Sequence, residues 1–197
     1  MATLLEKSFD YEILERIEYL LKFFRDEQYA LNTDAGFDIY LGATLPTLLN
    51  LDRPVVNIYQ NSLDPEKPTT QTHAQYGAKF YIDCVAPGVE NGAAPGYPVG
   101  HSDEVAYGKI DYLKYQVWTV LTALINHKFG FKNKIAGKIY PSWEYFQIEN
   151  KENATVVTAG RWTFDIQYGL DLHDTEHIQE LEKIFISTEN YSADITY

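Results

Sequence analysis

Cysteine occurs once in this chain, at Cys84, so no disulfide can close within a subunit. Its setting in an apolar, strand-like stretch marks it as a buried, inert thiol. Basic residues are also scarce: 16 Lys and Arg stand against 28 Asp and Glu, a formal charge of −12, with a pI near 4.7. Proteins that grip nucleic acid set clustered cations against the phosphates, so this chain should repel DNA. No run approaches the roughly 18 apolar residues of a membrane span, and the opening MATLLEKSFD lacks the apolar core of a signal peptide. The expectation is a soluble protein made in a reducing cytoplasm. Catalytic signatures are missing too. The glycine-rich PGVENGAAPGYPVG at 87–100 has neither GxxxxGK spacing nor the strand–glycine–helix order of a dinucleotide site, and no GxSxG elbow occurs.

What the chain has instead is aromatic. Sixteen tyrosines help bring aromatics to 15% of the residues, and a tyrosine buries a large ring while keeping one polar end wet, which suits contacts between proteins. The hydrophobic content of 45% suffices for one real core, and the chain reads as a single domain, 1–197. Its organising element is a helix predicted over 103–129, with Ser102 or Asp103 as cap and Gly130 as stop. Leu113, Val117, Val120, Leu121 and Leu124 fall three and four apart and share one face. Tyr112, Tyr115, Trp118 and Ile125 widen that face, so the helix should be covered on more than one side.

Around it the periodicity predicts a leading amphipathic helix over 9–28, capped by Ser8 or Asp10, then a long connection over 29–53. Strands follow over 55–60 and 76–86, an antiparallel hairpin whose polar tip is a loop over 61–75. A second loop spans 87–102. After the central helix come strands over 138–148 and 155–172, joined by a turn at 149–153. In the last strand Trp162, Phe164, Ile166 and Tyr168 share a face, which is expected to pack beneath the central helix. A short helix over 175–186 and a flexible tail from about 188 end the chain. The predicted fold class is α+β: an antiparallel sheet of about four strands, the long helix on one face, and flanking N- and C-terminal helices.

Candidate chemistry is sparse. His173 and His177 are four apart in HDTEH and could share a helical face as metal ligands; the plainer reading is a helix N-terminus with exposed histidines. His73, His101 and His127 stand alone. No carboxylate pair sits in an apolar setting that would tune it for catalysis, so neither catalytic residue nor cofactor is expected. Charge placement says more. Lys128, Lys132, Lys134 and Lys138 form an all-basic run, whereas 171–197 carries seven acids against Lys183. Such separation either steers unlike surfaces together or is an accident of solvated faces; the first reading makes the four lysines candidate assembly contacts.

The order of elements, with PVVNIYQ, AKFYIDCVAPG, VLTALINHKF, IYPSWEYFQIEN and TVVTAGRWTFDIQYGLDL, resembles the tail terminator (tail completion) proteins of tailed bacteriophages and related contractile particles. The resemblance spans about 9–172 and includes Ala159-Gly160-Arg161 before alternating aromatics. It implies a structural virion protein, not an enzyme: a homohexameric ring at the head-proximal end of the tail, assembled in the host cytoplasm. Such a ring caps the tail tube, stops its growth and offers a surface to a neck or head-completion protein. Tube and possibly sheath proteins would be its partners, no membrane would be involved, and DNA would only pass through the lumen. Another head-to-tail joining or neck protein would share these features. A small α+β enzyme or ligand-binding domain would need a concave polar pocket beneath the central helix.

Overall fold

The computed structural model describes residues 8–32, 36–43, 53–65, 73–88, 92–94, 97–131, 134–147 and 157–171. Helix α1, Phe9–Leu31, begins where Ser8, in extended conformation, accepts the Tyr11 N–H on its hydroxyl. That bond satisfies one of the unpaired amides of the first turn, and Asp10 and Glu12 suit its positive end. Ile13, Ile17 and Leu21 form the fully buried stripe that the periodicity predicts. The second helix, α2, runs Ser102–Asn126 rather than over 103–129. His101 precedes it as N-cap, and the Glu104 carboxylate accepts the His101 N–H at 3.3 Å. Beyond it Lys128–Gly130 forms a 3-10 turn instead of continuing the helix, because Lys128, Phe129 and Gly130 all adopt positive φ, at 49°, 52° and 80°.

Among the described residues there are eight strands, numbered in chain order: β1 Asp38–Leu41, β2 Val55–Pro65, β3 His73–Pro87, β4 Gly92–Ala94, β5 Tyr97–Gly100, β6 Ile135–Ala136, β7 Ser142–Gln147 and β8 Val157–Asp171. Six make one sheet in the order β1-β2-β3-β8-β6, with β7 also on β8. The fold is α+β, but the sheet is mixed and larger than the antiparallel four strands expected. β1 pairs parallel to β2, with Ile39 opposite Val56 and Leu41 opposite Ile58. It falls within the connection expected over 29–53, where Phe37, Ile39 and Leu41 alternate, and the edge of β2 beside it makes four residues a strand. Two other expected loops are shorter than predicted. Of 61–75, the ends belong to β2 and β3, which remain paired to Pro65 opposite Tyr76 across a register shift between Gln60 and Ser62. Of 87–102, part forms the β4–β5 pair. The strand expected over 138–148 starts only at Ser142, since Gly137 at φ 70° turns the chain after β6. Turn 149–153, helix 175–186 and the tail lie outside the described residues.

One face of the sheet makes the core. Val56, Ile58, Phe80, Ile82, Cys84, Trp162, Phe164, Ile166 and Tyr168 are buried there with the α1 and α2 stripes, as the period-two face of β8 predicts. Phe80 stacks on Phe164, and Phe129 stacks on Phe164 from the 3-10 turn, at ring separations of 5.5 and 6.1 Å. Cys84 is fully buried in this layer, which pushes its thiol pKa well up and leaves it unreactive. The helices therefore seal one face, while the other is only partly covered, with Val55, Val85 and Ala159 buried on it.

Candidate functional site

On the sheet's other face, registers place side chains in cross-strand rows. Val55, Val85 and Ala159 form a small buried cluster, with Phe146 and Val157 packed against it. One step along, Asn57, Asp83 and Arg161 stand side by side, because Asn57 pairs with Asp83 and Asp83 with Arg161. Asn57 accepts the Ala43 N–H at 2.8 Å and donates to the Ala43 carbonyl at 3.2 Å. Its amide thus mimics a strand edge and pins the chain after β1.

Arg161 is the centre of the next contacts. Its Nε donates to Asp83 Oδ1 at 2.6 Å, and Nη2 donates to Asp83 Oδ2 at 3.0 Å and to the Tyr59 hydroxyl at 2.8 Å. Tyr59 donates in turn to Asp83 Oδ2 at 3.0 Å, closing a triangle in which the fork geometry of guanidinium and carboxylate is matched. The guanidinium lies 4.5 Å from the Tyr81 ring and 5.1 Å from Phe146. Burial, then Asp83, pushes the Tyr59 pKa up to about 12. The bond to Asp83 raises that of Arg161. Tyr59 therefore stays protonated well above neutral pH, and a carboxylate held by three donors is a poor nucleophile. The arrangement suits adhesion: a rigid Arg–Tyr platform beside an open recess of about 520 Å³ bounded by Gly42, Ala43, Tyr59 and Asp83.

A second concentration of rings lies where α2 meets β7. Trp118 stacks on Trp162 at 5.0 Å, Trp143 tilts against Trp162 at 5.3 Å, and Tyr107 stacks on Tyr145 at 5.9 Å. All three tryptophans of the chain are in this ledge. Lys114 Nζ sits 5.6 Å above Trp143 and 5.7 Å above Tyr145. The Tyr145 hydroxyl beside it pushes the Tyr107 pKa up.

The lysines of the basic run do not act alike. Lys128 is half-buried and donates to the Ile135 carbonyl at 3.0 Å, so it braces the 3-10 turn. Lys134 and Lys138 are exposed, the former 5.7 Å above the Phe9 ring. Lys132, His173 and His177 lie outside the described residues. Arg16 of α1 donates to the Phe129 carbonyl and covers the Phe131 ring, locking the same turn. His101 and His127 are exposed helix caps. Among the described residues no three His, Cys, Asp or Glu are grouped to hold a metal, and no helix is long and apolar enough to cross a membrane. The Arg161 triangle went unread in the sequence, although Asp83 and Arg161 both fall on the outward parity of their strands. Two opposite charges on outward positions of long strands were its signal; their register was not.

Comparison with protein-family models and with curated proteins gives no match to this chain.

Proposed function

We propose that this chain is a ring-forming tail terminator subunit, which caps a bacteriophage tail tube and presents a surface for head or neck attachment. The observation that carries the reading is the unlikeness of the molecule's two faces. A closed ring needs head-to-tail contacts, in which one surface of a subunit meets a different surface of the next. Here one side offers the Arg161, Tyr59 and Tyr81 platform, and the helical side offers exposed Tyr11, Tyr19, Phe23, Tyr107, Tyr115 and Trp118. Tyrosine, tryptophan and arginine are the residues that most often dominate binding energy at interfaces. The sequence resemblance over 9–172 supplies the biological setting, and the net charge of −12 suits a lumen through which DNA slides without sticking.

The test is assembly. Mass measurement of the purified protein, alone and with tail tubes, should give a ring, with six copies the expected number. Particles made without the protein should carry tails of irregular length or tails that fail to join heads, seen by electron microscopy. Reversing exposed Lys134 and Lys138 to Glu should keep the fold and slow association most at low salt. Normal, head-joined tails in its absence would sink the terminator reading; association indifferent to the reversal would sink only the role of the lysines.

A further inference from the structure

The α2–β7 ledge has features that its own subunit leaves incomplete. Trp118, Tyr145 and Tyr107 remain 40%, 45% and 50% exposed. Single exposed rings are ordinary, whereas a contiguous set is a contact surface. The indole N–H groups of Trp143 and Trp162 are buried without an acceptor among the described residues, and a buried donor left unpaired is costly. β7 pairs with β8 alone among the described strands, so its outer edge has no strand against it. Lys114 stands over the rings with no carboxylate partner among the described residues, in a chain where acids outnumber bases.

We propose that this ledge is the docking site for the acidic segment 172–197 of a second copy of the chain. The inference rests on the ring reading above. Six acids against Lys183 make the segment complementary to Lys114, and Ile178, Leu181, Ile184 and Phe185, three or four apart, supply an apolar stripe for the rings. The second copy follows from the ring reading. β7 pairs with β8 over residues 158–163, whereas Asp171, where the segment begins, pairs with His73 at the other end of the same strand. Eight residues of strand, about 26 Å, separate them. The segment is long enough to cross that distance in either copy, and the ring reading selects the neighbour, because head-to-tail packing sets unlike surfaces of adjacent subunits against each other.

The experiment uses the full chain. Unlabelled and nitrogen-15-labelled protein are mixed, exchanged and reassembled, then treated with a zero-length carbodiimide and analysed by mass spectrometry. Lys114 should be joined to acids of 172–197, Glu180 or Glu182 foremost, in pairs carrying both isotopes. Lys114→Glu should weaken self-association by about tenfold, and Glu180→Lys with Glu182→Lys in that background should restore it. Assembled rings whose Lys114 never joins the segment would overturn the docking while leaving the ring intact. Links confined to one isotope would also overturn it, by showing that the segment folds onto its own ledge. A chain monomeric at every concentration would remove both readings, whereas docking in particles whose tails need no terminator would remove only the biological setting.

Discussion

Trp143 lies flat against the bare backbone of Gly160: a Cβ added there would be 2.2 Å from the indole Cζ2. The ladder explains the approach, since Tyr145 is directly opposite Gly160 and Trp143 opposite Trp162, which sends the indole diagonally across the one position without a side chain. Gly160→Ala should therefore displace Trp143 and destabilise the fold by roughly 1–3 kcal/mol, the usual cost of overpacking. Because all three tryptophans share this ledge, intrinsic fluorescence should change with the melt. Trp143→Leu in the same chain should recover part of the loss. An unaltered spectrum and melting temperature would reject the contact.

Arg161 and Asp83 form a pair in which the carboxylate side chain is 8% exposed and the guanidinium 26%. Removing one partner strands the other, so Asp83→Ala should cost about 1.5–3 kcal/mol, as for a hydrogen bond to a charged group. Asp83→Ala combined with Arg161→Met should cost less than the two single changes together, because no charge is then left unpaired. Chemical denaturation of the four chains measures this, and strict additivity would show that the pair is uncoupled.

Alkaline pH probes the same triangle through Tyr59. Its folded pKa, pushed up to about 12 from an ordinary value of 10.0 by burial and by Asp83, means that the unfolded chain releases its proton first. Stability is then complete below pH 10 and falls as pH rises toward 12. Tyr168 is raised in the same direction by burial and by Asp10 beside it, and adds to the decline. Absorbance titration of tyrosinate should show late-ionising residues whose release accompanies unfolding, and Tyr59→Phe should flatten the loss of stability between those limits. If every tyrosine titrates near pH 10 in the folded protein, the enclosure of Tyr59 is wrong.

The two helices and the long strands were legible in the sequence because their signals are local. Ser8 before a three-and-four spaced stripe from Ile13 to Leu21 specifies α1 almost unaided, and the alternation from Trp162 to Tyr168 specifies both that β8 is a strand and which side of it is buried. Boundaries were less legible. β2 and β3 extend beyond their apolar stretches because neighbouring strands lend them a ladder: polar Ser62 and Asp64 are carried along by pairing with β3, and Gln75 by pairing with β8, which no single-strand pattern encodes.

What the sequence by itself determined is the α+β class, the core faces and the acidic, ring-rich character of the surface, all consequences of spacing and composition. Only the tertiary structure decided that β1 lies parallel at the sheet edge and that Lys128 braces a turn while Lys134 faces solvent. It alone brought Arg161 against Asp83, 78 residues away, and gathered three dispersed tryptophans onto one ledge. The physical reason is that strand partnership is set by hydrogen bonds between segments far apart in the chain, and a shift of one residue in register would turn each of those side chains to the opposite face.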